Sequence, residues 1–187
     1  MIQAILKNEE LMSFIKNDIS ENNVSVEIDK EFYENDDTLD VKKIVNIAVD
    51  NYYNSLGLTY TPPSIDNLVV INRGSDKYSV YLVELKDVAK LNRLCPKNIK
   101  EKFITVIDDF MAIKFKNEFV ETECKVTDLN LWLVCNRFAF MRHSISEEDY
   151  EKRIKNSLIE KLLLIQPIVF RGKMAIIMPM FDKCKIE

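Results

Sequence analysis

Apolar residues change their spacing along the chain, and each change marks an element. In residues 1–19, Ile5, Leu11, Met12, Ile15 and Ile19 recur at helical intervals, which predicts an amphipathic helix. Residues 24–28 alternate as Val, Ser, Val, Glu and Ile and predict a short strand. The acidic, polar stretch 31–40 predicts a loop. Thr38 or Asp40 then supplies a cap for a helix reaching Leu56, with Val41, Ile44, Val45, Ala48 and Tyr52 along one face and Gly57 as the stop. Thr61, Pro62, Pro63 and Ser64 break regular structure, because proline fixes φ and lacks an amide hydrogen.

The clearest pattern follows. Two β-type runs, 68–72 and 78–86, flank Arg73, Gly74, Ser75 and Asp76, a turn-forming set, and predict a hairpin. A helix is expected over 98–115, after Pro96. Residues 129–138 form an apolar run of the kind found in a strand covered on both faces. Ser146 and the acids behind it suit a helix N-terminus, predicting a helix to about Leu164. Residues 168–170 and 174–178 flank Arg171, Gly172 and Lys173 and predict a closing hairpin. Helices interleaved with hairpins and a buried strand define an α/β protein with a central mixed β-sheet flanked by helices. The chain of 187 residues, 47% apolar, suits a single domain over 1–187. Three glycines and five prolines argue against long flexible linkers.

Composition narrows the class. No uninterrupted apolar run reaches the ~18 residues of a membrane span, and the N-terminus lacks a basic start followed by an apolar stretch. The expectation is an intracellular, cytoplasmic protein without a membrane partner. Cys95, Cys124, Cys135 and Cys184 include no pair two residues apart, and His143 is the only histidine. A structural zinc site is therefore not expected, and reduced, mostly buried thiols are. A net charge of −4 argues against a protein that coats nucleic acid non-specifically. It leaves room for an enzyme that concentrates carboxylates around a metal and attracts phosphates through a local basic patch.

The candidate chemistry lies in the hairpin. Glu84 and Lys86 are two apart in a strand, so they share a face with Val80 and Leu82, while Tyr81, Val83 and Leu85 take the other. Asp66 lies just before the partner strand, and the turn brings it beside Glu84. Two carboxylates at one sheet end suit Mg²⁺, which prefers hard oxygen ligands and keeps several waters. A lysine there can orient the attacking water and stabilise developing charge. Its carboxylate neighbours favour the charged form, so positioning is the expected role rather than free base.

Asp66 followed after seventeen residues by Glu84, Leu85 and Lys86 resembles the active-site signature of the PD-(D/E)xK nuclease superfamily, the restriction-endonuclease-like fold. Ile65 stands where the signature has proline. The resemblance implies an α-β-β-β-α-β core over about 38–140, with the first strand short and near residues 58–60. An extra N-terminal helix in an arm over 1–37, and a C-terminal helix plus hairpin over 144–187, would lie outside it. It implies Asp66 and Glu84 as metal ligands and Lys86 as the catalytic lysine, with Mg²⁺ as cofactor and Mn²⁺ as a substitute. It further implies an acid on the first core helix. Asp40 lies near that helix's core-facing side and Asp50 on the opposite face, with Glu31 and Glu34 as alternatives.

The stretch carrying Lys86, Lys90, Arg93, Lys97, Lys100 and Lys102 is basic, and Lys90, Arg93 and Lys97 are candidate phosphate contacts. Asn136, Arg137, Arg142 and His143 follow the last core strand and could reach a nucleic acid. Asp108 and Asp109 fit a solvated helix face better than a metal site, and Trp132 fits the core. The implied activity is Mg²⁺-dependent endonucleolytic hydrolysis of DNA, of restriction type and by a homodimer, in a protein of prokaryotic or viral origin. Junction-resolving, repair or viral RNA-cutting enzymes share the signature. A non-catalytic α/β module that binds a protein partner is the reading from another class, and the acidic balance favours it.

Overall fold

A computed structural model describes residues 1–87, 94–136 and 165–187 and, of the stretch between the last two, Ser146, Glu148, Asp149, Lys152 and Leu162. Its centre is a five-stranded mixed sheet. In chain order the strands are β5 (Ile44–Ala48), β6 (Asn67–Asn72), β7 (Lys77–Lys86), β8 (Lys125–Cys135) and β11 (Ile177–Phe181), and in space they run β11-β8-β7-β6-β5. β5, β6 and β7 form an antiparallel meander. β8 lies parallel to β7, and β11 parallel to β8.

The hairpin of β6 and β7 has the expected boundaries within a residue, with Asn67 opposite Val83 and Asn72 opposite Tyr78. Gly74, Ser75 and Asp76 all take positive φ, and the Asn72 side chain accepts the Gly74 amide. The alternation along β7 sorts its side chains into two cores. Val80 and Leu82 join one cluster with Leu68, Val70, Leu131 and Leu133; Val83 and Leu85 join the other with Val69, Ile71 and Val134.

Helices cover the first face. They are α1 (Ile2–Ile5), α3 (Val49–Ser55) and α4 (Pro96–Thr105), the last continuing as a π-helical stretch over Val106–Lys114. The wider turn, closed by a hydrogen bond from the Phe115 amide to the Phe110 carbonyl, carries Val106, Ile107, Phe110 and Met111 as buried residues. Phe110 meets Tyr52 edge-on, with ring centres 5.2 Å apart.

The second face is covered differently from the expectation of helices on both sides. A three-stranded sheet of β1 (Ile19–Glu21), β2 (Val24–Ile28) and β12 (Cys184–Ile186) packs there, sending Ile19, Val26, Ile28 and Ile186 against Val83 and Leu85. β12 lies parallel to β2. Ile186 has no exposed surface, so Ile186→Ala is expected to lower the free energy of unfolding by about 2–4 kcal/mol in urea titrations.

Other expectations are corrected. Residues 1–19 are two single-turn helices, α1 and α2 (Glu9–Met12), followed by β1. Asn8 interrupts the run by accepting the Leu11 amide with its side chain, a cap that starts a new turn. The 31–40 segment is a small hairpin of β3 (Tyr33–Asn35) and β4 (Thr38–Leu39). The helix expected to reach Leu56 is strand β5 followed by the shorter α3. Every residue of β5 is buried, so its apolar run shows no alternation. Asn46 is satisfied inside by the Asp18 carbonyl and the Asn67 side-chain amide. Gly57 does follow α3, at φ 60°.

Residues 58–60 form no strand; β5 is the first strand of the meander. The closing hairpin pairs β9 (Ile168–Phe170) with β10 (Lys173–Ala175), whereas β11 adds to the central sheet. The sheet thus extends beyond the expected 38–140. Most of the helix expected over 146–164 lies outside the described residues; Ser146 accepts the Asp149 amide as a cap would. All four cysteines are free, with Cys135 buried and Cys95 exposed. No helix among the described residues is long and apolar enough to cross a membrane.

Candidate functional site

The β6–β7 register places Asp66 and Glu84 side by side. Asn67 faces Val83, so one step further along the ladder sets Asp66 opposite Glu84. Their closeness is seen in the Leu85 amide, which donates to Asp66 Oδ2 at 2.5 Å, and in the effect of the Glu84 charge on Asp66. Directly opposed residues in antiparallel strands project to one face. Glu84 shares the helix-covered face of β7 with Leu82 and Val80, and Asp66 stands just ahead of β6 beside it.

Glu84 has no exposed surface; both close contacts to its carboxylate fall on Oε1, and Oε2 has no hydrogen-bond partner. Charge compensation comes from two lysines. The Lys86 ammonium touches Oε1, and the Lys102 ammonium lies 2.6 Å from the same oxygen. Lys86 arrives from two residues along β7, and Lys102 from α4 packed over the sheet. Burial lowers the Lys86 pKa, but Glu84 beside it and Asp66 nearby outweigh that and hold it above the ordinary lysine value. Lys86 is a fixed positive charge at neutral pH.

Asp66 behaves oppositely. Burial, and then the charge of Glu84, push its carboxyl up to about 8, against a weaker downward pull from the Leu85 amide and the two lysines. Its Oδ2 accepts that amide at 2.5 Å. Cys135 faces Lys86 across the β7–β8 pair, and burial pushes its thiol up to about 12, so it is an inert wall.

Asp66 opens on its other side into a cavity of about 140 Å³, also lined by Lys16, Asp18, Glu21, Asp50 and Asn51. Asp50, expected on the wrong helix face, enters this cavity because α3 begins only at Val49. Asp40 does not reach the site. It sits before Ile44, which pairs with Ile71 at the turn end of the sheet, whereas Ala48 pairs with Asn67 at the site end. There its carboxylate accepts the Lys42 amide and pairs with Lys43. Glu31 stays at the same far end, its carbonyl bound by Lys43, and Glu34 lies in β3.

Lys97 projects from the first turn of α4 with its side chain 83% exposed. Lys90 and Arg93 lie outside the described residues, as do Arg137, Arg142 and His143. The Asn136 side chain is turned inward to Asp87, which also holds Asn23. Asp109 accepts the Tyr53 hydroxyl at 2.6 Å and Asp108 is exposed. Trp132 packs edge-on against Tyr81 in the second core.

Lys102 is the site residue that spacing along the chain did not single out from its basic stretch. Its helical position, one turn before the buried Val106, was the available signal. Among the described residues no group of three or more His, Cys, Asp or Glu side chains is arranged to hold a metal ion. The fit to Mg²⁺ rests on two hard carboxylates and on a buried Glu84 whose Oε2 has no hydrogen-bond partner. That suits an ion that keeps most of its waters and takes one or two protein carboxylates. The chain matches no protein-family model, no curated protein and no solved structure.

Proposed function

We propose that the protein is a Mg²⁺-dependent endonuclease of the restriction-like class, hydrolysing phosphodiester bonds in DNA. The observation that carries this reading is Glu84, a fully buried carboxylate with Oε2 unpartnered, set beside Asp66 and Lys86 at the open end of one hairpin. The antiparallel meander of β5, β6 and β7, the covering helix α4 and the parallel β8 support it, although β5 stands where the leading helix of that core was expected and α3 lies between β5 and β6.

In this reading Asp66 and Glu84 hold the ion. Mg²⁺ when bound polarises a phosphoryl oxygen and acidifies water. Lys86, kept charged by its neighbours, donates to the attacking water or to a non-bridging oxygen and stabilises the charge that builds there. The water oxygen forms the new bond to phosphorus, one bridging P–O bond breaks, and the leaving oxygen takes up a proton from solvent. The proton lost by the water returns to solvent, since Lys86 has no free lone pair to receive it. A two-fold dimer would let two such sites cut both strands.

Incubating plasmid DNA with Mg²⁺ tests the reading. Discrete fragments are expected from the wild type, and a rate lower by about 10²–10⁴-fold from Lys86→Ala. A smear would indicate a non-specific nuclease, and cutting of branched DNA alone a resolvase. The two-carboxylate site and the net charge of −4 favour one other reading, a non-catalytic module that binds a protein. Calorimetry separates the two: absence of Mn²⁺ binding, with no cleavage of linear DNA, branched DNA or RNA, removes the nuclease reading.

A further inference from the structure

Two ammonium groups meet one oxygen of one buried carboxylate. Lys86 would neutralise Glu84 unaided, so Lys102 brings a second positive charge that Glu84 does not need. Its side chain is only 23% exposed, so water screens that charge poorly. Burying surplus charge at a helix–sheet junction is costly unless something opposes it. Asp66 is the other carboxylate at this junction, and its Oδ2 is turned to the Leu85 amide.

The surplus has a use in phosphodiester hydrolysis. The diester carries one negative charge, and addition of a hydroxide equivalent gives the transition state a second. Two carboxylates, one lysine and a divalent cation leave a net single positive charge. A second lysine raises the balance to two, matching the charge at the reacting phosphorus.

We infer that Lys102 is a positioning residue of this site, competing with a divalent cation for Glu84 and, once displaced, facing the phosphodiester as the second positive charge. The inference rests on the nuclease reading above. A bridge that merely ties α4 to β7 would behave otherwise, because its loss would loosen the fold and weaken or leave unchanged any binding at Glu84.

Calorimetric titration of the metal-free full chain with Mn²⁺ tests it directly. Lys102→Met is expected to bind Mn²⁺ about tenfold more tightly than wild type at low ionic strength, since a competing cation has gone. The same variant should cleave plasmid about 100-fold more slowly at saturating Mg²⁺. Lys102→Arg, which keeps the charge, should return Mn²⁺ affinity towards the wild-type value. Should Lys102→Met fail to fold, Lys102→Gln gives the same readout. Unchanged or weaker Mn²⁺ binding in the neutral variants overturns the inference while leaving the nuclease reading intact. No Mn²⁺ binding by wild type overturns both.

Discussion

Glu84→Ala is expected to lower stability by about 3–5 kcal/mol, because it takes from two ammonium groups the buried carboxylate they share and leaves only Asp66 near them. For a chain of this size each kcal/mol moves the melting temperature by about 2–4 °C, so the midpoint should fall by about 6–20 °C. The cost comes from the stranded lysines rather than from a lost contact. Glu84→Ala combined with Lys102→Met should therefore be more stable than Glu84→Ala alone. Differential scanning calorimetry on the metal-free protein reads both numbers. A midpoint within about 2 °C of wild type would mean that the lysines have no buried partner to lose.

Asp66→Asn should have the opposite effect on stability while removing Mn²⁺ binding. In the unfolded chain an aspartate ionises near 3.8, whereas burial and the charge of Glu84 push the folded carboxyl up to about 8. Between those values the folded protein holds a proton that the unfolded chain has released. Stability therefore declines as pH rises through this window, and levels off above the folded value. Asparagine has no proton to lose and can still accept the Leu85 amide. Without divalent cations the variant should match wild type near pH 4. It should exceed wild type by about 1–3 kcal/mol at pH 9 in urea titrations. A variant less stable than wild type at pH 9 would show that the lysines and the Leu85 amide already make the ionised form favourable.

The hairpin carrying the site was legible because its chemistry is local. Alternation, the turn at Gly74 and the count of residues back from that turn fix which side chains meet, and Asp66 does lie beside Glu84. β5 was not legible for a definite reason. Ile44, Val45, Ile47 and Ala48 are buried by both layers, so no polar residue marks an outer face, and the strand runs straight into α3. The same run satisfies helical spacing, and that choice carried Asp40 into the expected site and Asp50 out of it. Lys102 belongs to another kind of information. Its partner is set by how α4 lies across the sheet, which no spacing along one element encodes. In the N-terminal arm the strand at 24–28 was legible from its alternation, but its part in a covering layer was not, because β1 and β2 become that layer only when β12 arrives from far along the chain.

That late arrival bears on how the molecule is made. Val26 faces Cys184 and Ile28 faces Ile186 in a parallel ladder, a pairing between distant parts of the polypeptide that must overcome a large loop-closure entropy. While synthesis proceeds, Val69, Ile71, Val83 and Leu85 wait without the roof that β12 completes. A nascent chain therefore presents a sticky flank until residue 186 has emerged from the ribosome.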